Sequence, residues 1–129
     1  MQTHIVVAAA VIERDGAFLV TRRQNGVHLA GFWEFPGGKC EPGETHAMCL
    51  ARELREELAV DARIGAEILS TTHRYPERSV ELHFLKCELN GEPAPQQGQE
   101  MRWVGRGELS NFEFPPADVE LIRRLTGRD

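Results

Sequence analysis

The first apolar segment of the chain is a nearly unbroken run of small and β-branched residues at positions 5–12. Such a run is typical of a strand that is buried on both faces of a sheet. Polar residues 13–16 follow it and end in an Asp-Gly pair, which is a strong hairpin signal. We therefore predict that residues 17–21, which are mostly apolar, form the returning strand of a hairpin.

The clearest helical pattern covers residues 45–58, where apolar side chains recur at positions 47, 50, 51, 54 and 58. This spacing places them on one face of a helix, and Thr45 can cap its N-terminus. Residues 22–42, between the hairpin and this helix, mix glycines, prolines, aromatics and charges without a period. We predict a long loop there, with short strand pieces around residues 32–35, and loops of that length are usually functional.

The rest of the chain indicates an α/β fold. Strands are expected at residues 62–73, 80–89 and 101–104, and a closing helix at residues 116–125. In the second of these strands, the alternation from Val80 to Leu85 predicts one buried face and one wetter face. Strands mixed with two helices in a small domain favour a mixed sheet with helices on its faces.

Length, charge and hydropathy narrow the class of protein. The 129 residues predict one domain spanning 1–129, and the net charge of −5 argues against a protein that binds long polynucleotides. No apolar run approaches the roughly 20 residues of a membrane span, so no membrane partner is expected. No basic segment precedes an apolar core, as a secretory signal requires, and we expect a cytoplasmic protein.

Cysteines and histidines show no spacing that predicts a zinc site or a disulfide framework. The cysteines are odd in number, and we interpret them as packing thiols in a reducing compartment: Cys40, Cys49 and Cys87. Four histidines lack any mutual short spacing and carry no functional prediction: His4, His46, His73 and His83.

Three acidic side chains project from one flank of the predicted helix. Glu53, Glu56 and Glu57 stand at i, i+3 and i+4, where a like-charged pair destabilises an isolated helix by roughly 0.2–0.5 kcal/mol. One explanation is a solvated face on which Arg52 reaches Glu56 at i+4 and offsets the repulsion. The other explanation is that a cation binds there.

The loop before the helix favours the cation. Residues 37–44 bring glycine backbone and the carboxylates of Glu41 and Glu44 up to the helix N-terminus. Oxygen ligands in this number suit a hard cation, Mg²⁺ or Mn²⁺, which takes its remaining oxygens from water and substrate phosphates. Such an ion shields phosphate charge and lowers the pKa of an attacking water. Loop and helix together predict a site for metal-assisted phosphoryl hydrolysis.

Residues 38–60 resemble a known family signature. Gly38, five residues, Glu44, seven residues and then the run Arg-Glu-Leu-Arg-Glu-Glu-Leu-Ala-Val are similar to the Nudix box. That box marks hydrolases that cleave nucleoside diphosphates linked to another moiety. The departure is Ala59, where the family usually has glycine. A left-handed residue at this helix end costs alanine of order 1 kcal/mol, unless the helix exit is built differently.

Segments outside the box resemble the MutT branch of the Nudix family. The segments that carry this resemblance include residues 8–12, 21–23, 33–39 and 114–118. It implies an α/β/α sandwich around a mixed sheet, in which water attacks a nucleoside triphosphate to give nucleoside monophosphate and pyrophosphate. By position, the resemblance implies that the Gly37 carbonyl, Glu53, Glu56 and Glu57 hold a divalent metal. Glu53 then orients or deprotonates the water, and Glu44 and Arg52 brace the loop against the helix by an ion pair.

One further metal ligand is open to two interpretations. The family often places a carboxylate six residues before the tryptophan that matches Trp103, and Gln97 occupies that place here. Glu100 is the nearest acid. Either Glu100 binds metal from the same loop, or the box carboxylates act alone.

Four residues match positions of substrate contact in this branch: Arg23, His28, Phe35 and Asp118. For the first three, the alternatives are a surface charge, a loop imidazole and a core aromatic. Ionised Asp118 only accepts hydrogen bonds, whereas the asparagine common in oxidised-guanine enzymes also donates. An acceptor suits amino groups such as cytosine N4, so 8-oxo-dGTP and CTP or modified dCTP both remain candidate substrates. The alternative for Asp118 is a charge near a helix N-terminus.

Two other classes of function remain as alternatives. A non-catalytic Nudix-fold module that senses a nucleotide would be free to lose the acidic box residues, all of which are present. An enzyme for ADP-ribose or dinucleoside polyphosphates would release products without free pyrophosphate. The sequence leaves open whether the protein is a monomer or a dimer.

Overall fold

Seven strands and two α-helices form the described part of the chain, which comprises residues 3–24, 26 and 30–127 of a computed structural model. The strands are β1 (Thr3–Arg14), β2 (Ala17–Arg22), β3 (Trp33–Glu34), β4 (Gly37–Lys39), β5 (Asp61–Arg74), β6 (Arg78–Asn90) and β7 (Met101–Gly105). The helices are α1 (His46–Leu58) and α2 (Val119–Thr126), with 3-10 segments at Arg106–Asn111 and Pro116–Asp118. The predicted closing helix therefore begins as a 3-10 turn. Neither α-helix has the length and apolarity that crossing a bilayer requires.

The central strand β1 organises a mixed sheet. It pairs in parallel with β6 and, along residues 7–9, antiparallel with β4, so both of its edges are hydrogen-bonded there. Its end forms the predicted hairpin with β2. The strand order is β3-β2-β1-β6-β5, with β4 attached to β1 and β7 attached to β2. A central position explains the unbroken apolar sequence of β1.

Helices cover the two faces of this sheet. Ala8, Ala10 and Ile12 of β1 pack in one core with the apolar face of α1. Ala9 and Val11 pack in a second core with α2 on the opposite face. Successive side chains of a strand point to opposite faces, so a single strand contributes to both cores. The expected α/β sandwich around a mixed sheet is confirmed.

The prediction of a wetter face for β6 is wrong over residues 82–85, all of which are buried. Leu82 and Phe84 lie in the core with α2, and Leu85 lies in the core with α1. His83 shares the α1 face and is only 8% exposed. β6 runs between β1 and β5, so strands cover both of its edges. The two cores, which contain α1 and α2, cover its two faces.

The predicted long loop before α1 contains a short strand as well as the expected pairing at residues 33–34. Strand β4 pairs Gly38 with Ala8 and Gly37 with Ala9. Gly37 has a φ of 156°, and a Cβ there would collide with the backbone carbonyl of Ala8. Glycine is therefore what lets this segment lie against the central strand.

Both ends of α1 follow the sequence. The Thr45 hydroxyl accepts a hydrogen bond from the Met48 N–H at 3.1 Å, as an N-cap. At the other end Ala59 adopts the left-handed conformation, with φ 51° and ψ 41°, and its N–H donates to the Arg55 carbonyl at 3.1 Å. The helix thus ends in the left-handed conformation that glycine normally adopts at this position. For Ala59 this conformation lowers the stability of the fold by roughly 1–2 kcal/mol.

Cys40 and Cys49 are joined as a disulfide between the loop and α1, so the prediction of packing thiols is wrong for these two residues. Their Cα atoms are 5.1 Å apart because α1 returns over the loop that precedes it. Cys87 is a buried free thiol, as predicted, and burial raises its pKa to about 12.

Candidate active site

Arg52 joins the glycine loop to α1. Its Nε and Nη2 donate to the two oxygens of Glu44 at 2.7 and 2.9 Å, which is a bidentate pair. Nη2 also donates to the carbonyl of Lys39 at 3.0 Å. The hydrogen bonds from Arg52 to Glu44 are the main reason that the pKa of Glu44 falls to about 2. The ion pair expected between Glu44 and Arg52 is therefore present in the structure.

The same guanidinium also holds two carboxylates of the helix. Its Nη1 donates to Glu53 Oε1 at 2.8 Å and to Glu56 Oε2 at 3.0 Å. The alternative in which Arg52 offsets the repulsion between these acids therefore describes part of the geometry. It does not account for Glu57, which has no ion pair with Arg52 among the described contacts.

The Glu53 carboxylate lies directly against the backbone of Gly38. A Cβ built on Gly38 would collide with the carboxylate carbon and oxygen atoms of Glu53. Strand β4, paired with β1, presents this bare backbone, and α1 lays the side chain across it. Glycine at position 38 thus determines where the Glu53 carboxylate sits.

Glu57 and Glu53 are acids in an environment that disfavours their charge. Burial and, to a lesser extent, the nearby Glu34 and Glu53 raise the pKa of Glu57 to about 8, against one backbone hydrogen bond from Gly37 that lowers it. Burial also raises the pKa of Glu53, although Arg52 opposes the rise. Buried carboxylates with too little positive charge around them are typical of functional sites.

The box carboxylates are neighbours, but they do not converge on a single point. Among the residues described, the oxygens of Glu53, Glu56 and Glu57 do not form a group with all ligand atoms within 4.8 Å of one another. Arg52 lies between Glu53 and Glu56, and Glu57 turns toward Gly37.

A pocket of about 300 Å³ is lined by Glu57 of the box and by side chains of the sheet. Its other acidic lining residues are Glu34 and Asp118, and Glu34 raises the pKa of both Glu57 and Asp118. Side chains of β1 and β6 supply an apolar floor: Ile5, Val7, Ala9, Val80, Leu82 and Phe84. An apolar cleft with a few polar groups has the usual character of a small-molecule site.

Asp118 lines the pocket and is buried, with 4% of its surface exposed. Burial and, to a lesser extent, Glu34 raise its pKa to about 7, against the opposing effect of Arg23. Asp118 precedes α2, yet its side chain makes no capping hydrogen bond. The alternative of a simple helix N-terminal charge is therefore weakened, because the side chain lines the pocket.

The other predicted substrate contacts differ in position. Arg23 lines the pocket and pairs with Glu34 at 2.7 Å. Phe35 also lines it, but it is a core aromatic as well, stacked on Phe114 at a centroid distance of 5.3 Å. His28 lies outside the described residues.

Glu100 lies apart from the box carboxylates in its contacts. Its carboxylate accepts from Arg22 at 3.0 Å, and its carbonyl accepts from the Arg22 N–H. Two other residues of this loop reach Glu57: the Gln96 N–H and the Gln99 side-chain amide donate to its backbone carbonyl at 2.9 and 3.3 Å. A metal-binding role for Glu100 remains a prediction.

Comparison with known proteins identifies the family. The family described as the NUDIX domain matches residues 7–124. The chain belongs to the Nudix hydrolases. It is 40% identical over 124 residues to the 8-oxo-dGTP diphosphatase of Haemophilus influenzae, covering 94% of this chain and 90% of that one. It is 37% identical over 119 residues to the CTP pyrophosphohydrolase of Escherichia coli K12, covering 92% and 88%.

Solved structures show the same Nudix fold. The Escherichia coli ORF135 protein superposes with a TM-score of 0.86 at 35% identity, covering 98% of this chain and 91% of that one. The MutT protein of methicillin-resistant Staphylococcus aureus 252 superposes with a TM-score of 0.80 at 34% identity, covering 98% of each chain. The resemblance to the MutT branch is therefore confirmed.

Three polar residues that line the Nudix pocket, outside the loop at residues 37–44, were not predicted from the sequence: Glu34, Tyr75 and Arg78. Burial raises the pKa of Glu34, which sits between the box acids and Asp118 and raises the pKa of both Glu57 and Asp118. Tyr75 and Arg78 belong to the turn between β5 and β6, where the Arg78 guanidinium lies 5.7 Å from the Tyr75 ring centroid. Glu34 could have been predicted as a pocket residue because it is adjacent to Phe35, a predicted substrate contact. No feature of the sequence indicated that Tyr75 and Arg78 would line the pocket.

Proposed function

We propose that this Nudix hydrolase splits nucleoside triphosphates into nucleoside monophosphate and pyrophosphate, and so sanitises the nucleotide pool. One observation carries the proposal: a single pocket of about 300 Å³ joins the box acid Glu57 to the buried Asp118. A polyphosphate tail would bind at the box carboxylates, because a cation can bridge it to them. A base would bind on the apolar floor of the pocket, where Asp118 offers hydrogen bonds.

A divalent cation fits the carboxylates of the Nudix box. Nudix hydrolases generally use one, and the donors here are hard oxygens that suit Mg²⁺, with Mn²⁺ as an alternative. The pKa values of Glu53 and Glu57 are raised, which means that these buried carboxylates have too little positive charge around them. A bound cation would supply that charge. We propose the Gly37 carbonyl, Glu53, Glu56 and Glu57 as the residues that would hold the ion, with Glu100 as an additional candidate. When bound, the ion shields phosphate charge and favours ionisation of the attacking water.

The residues of the chain itself position and deprotonate the water in this proposal. Glu53 is the proton acceptor in this proposal, because a carboxylate held in a fixed position can take a proton from a water bound beside it. Arg52 fixes one oxygen of Glu53 by a 2.8 Å hydrogen bond, and Gly38 lets the carboxylate lie over β4. Glu44 in turn fixes Arg52 through two hydrogen bonds.

The pocket also supplies charge and shape for the substrate. Arg23 and Lys39 line it and can contact phosphate oxygens. Asp118 and the wall around Phe35 would bind the base, with His28 an additional candidate contact. The two relatives named above act on 8-oxo-dGTP and on CTP. We propose an 8-oxo-dGTP-type substrate first, and CTP or modified dCTP as the alternative, because an ionised Asp118 accepts from amino groups.

Further expectations accompany this proposal. We propose that residues 1–129 act as one Nudix domain on free nucleotides in the cytoplasm. A polynucleotide is not expected as a substrate, because the chain is acidic.

The test is pyrophosphate release from a panel of canonical and damaged triphosphates with Mg²⁺. The proposal expects pyrophosphate and not orthophosphate, and a kcat at least about 10²-fold lower for Glu53→Gln, which cannot accept the proton. Glu108→Gln, an exposed acid away from the pocket, is the matched control and retains full turnover. Full turnover by Glu53→Gln would refute the assigned role. Binding of nucleotide without hydrolysis would favour a sensor module, and products lacking pyrophosphate would favour a dinucleotide substrate.

A further inference from the structure

The histidines that the sequence left without a function are not all independent of one another. His46, the first residue of α1, stacks on His83 of β6 with ring centroids 3.8 Å apart. Glu67 of β5 completes the group, since its Oε1 lies 2.6 Å from His83 Nδ1 and 3.8 Å from His46 Nδ1. Within the described part of the chain, no other set of three His, Cys, Asp or Glu residues has all its ligand atoms within 4.8 Å.

Irregular pairing in β5 brings Glu67 to the face that carries His83. Ser70 pairs with His83, and in a regular strand a residue three positions from Ser70 points to the opposite face. The register shifts once between Glu67 and Leu69 and once between Ile64 and Glu67. Such bulges redirect side chains, and the first of them places Glu67 beside the buried imidazole.

A second carboxylate orients His83. Its Nε2 lies 2.6 Å from Glu81 Oε2, and the other oxygen of Glu81 lies 3.2 Å from His4 Nε2. With Nε2–H donating to Glu81, Nδ1 faces Glu67, and a metal ion between them would take the place of the proton in the Nδ1–Glu67 hydrogen bond. Metal-binding histidines commonly donate their other N–H to a carboxylate in this way. His83 is buried, so this orientation exists before any ligand arrives.

We propose that His46, Glu67 and His83 bind Zn²⁺ through two imidazole nitrogens and one carboxylate oxygen. Two histidines and one carboxylate are a ligand set that zinc takes in proteins, with water in the fourth position. Stacked rings cannot both direct a lone pair at one ion, so the half-exposed His46 turns about its side-chain bonds to complete the set. The side chains of His46 and Glu67 are 39% and 41% exposed, so an ion can reach them from solvent.

This site is separate from the catalytic carboxylates and does not depend on the proposed function. Glu53 follows His46 by seven residues, which is about 10 Å along the helix axis. The ion would join the N-terminus of α1 to β5 and β6. A ligand that binds only the folded state raises stability, so zinc is expected to stabilise the fold without being required for hydrolysis.

Calorimetric titration of the full chain with ZnCl2, in excess Mg²⁺ to occupy sites made of oxygens alone, tests the proposal. The expected result is one Zn²⁺ per chain, an increase in Tm, and a visible absorption band when Co²⁺ replaces Zn²⁺. His46→Ala alters a half-exposed side chain and should weaken Zn²⁺ binding at least about 10-fold and abolish the increase in Tm. His73→Ala, which removes a histidine outside the cluster, should bind as the wild type does.

Glu67→Gln provides a second variant, which preserves the size of the side chain beside the buried His83, and it should weaken Zn²⁺ binding as His46→Ala does. Zinc binding that is unchanged in both variants but lost in Glu57→Gln would place the ion at the Nudix box and overturn the proposal. The absence of saturable binding to the wild-type chain would also overturn it. Either result leaves pyrophosphate release by the wild type untouched, so the two proposals fail separately.

Discussion

Replacing Asp118 by asparagine should stabilise the protein, and more so as the pH rises. Asp118 is buried, and its pKa rises from an ordinary value of 3.8 to about 7, chiefly through burial and then through Glu34, against the attraction of Arg23. A folded-state pKa above the unfolded one means that the folded protein binds the proton more tightly. Its contribution to stability is fully present below pH 3.8 and is lost as the pH rises toward 7.

The magnitude follows from the two pKa values. At 1.36 kcal/mol per pKa unit, the gap between 3.8 and about 7 corresponds to about 4 kcal/mol of lost stability above pH 7. Asparagine keeps the shape of the side chain and does not ionise. The free energy of unfolding of Asp118→Asn minus that of the wild type should therefore increase by about 3 kcal/mol between pH 5 and pH 8.

Urea denaturation followed by tryptophan fluorescence at pH 5, 6, 7 and 8 measures this difference. Glu108→Gln, which removes an exposed acid, serves as the control and should track the wild type at every pH. A difference between Asp118→Asn and the wild type that stays constant with pH would show that Asp118 keeps its ordinary pKa in the folded state. The reasoning from burial would then be refuted.

Three further predictions concern single sites. Gly38→Ala should lower kcat/KM for triphosphate hydrolysis at least about 10-fold in the pyrophosphate assay, because its Cβ would displace the Glu53 carboxylate. Gly107→Ala is the control and should leave kcat/KM unchanged, because its Cβ meets nothing within 4 Å. Equal rates for the two variants would contradict this. Ala59→Gly should raise the free energy of unfolding by about 1 kcal/mol in urea, since glycine adopts the left-handed turn without strain; a loss of stability would argue against that turn. Cys40→Ser should lower the free energy of unfolding by about 3 kcal/mol under oxidising conditions and by much less in a reductant, and equal losses in both buffers would exclude the bond to Cys49.

Local sequence predicted most of the secondary structure. The hairpin between β1 and β2, the capped helix α1 and the strands β5 and β6 all appear near the predicted positions. Each depends on short-range features: an Asp-Gly turn, a threonine cap or a period of apolar residues. The Nudix box was also readable, because its glycine, its arginine and its acids lie within 23 successive residues of loop and helix.

The sequence could not show which distant residues meet. The pairing of Cys40 with Cys49 depends on how α1 returns over its loop, and the burial of His83 depends on β6 running between two other strands. Tyr75 reaches the pocket only because the turn between β5 and β6 lies beside β1.

What the chain alone determined is therefore the set of elements and the chemistry of one continuous motif, since both follow from neighbours within a few residues. What only the tertiary structure decided is the environment of each ionisable group. Burial of Asp118 and Glu57, the hold of Arg52 on three acids and the approach of Glu67 to two histidines all arise when separate elements pack together. Charge, desolvation and metal affinity depend on distances in space, and spacing along the chain does not contain those distances.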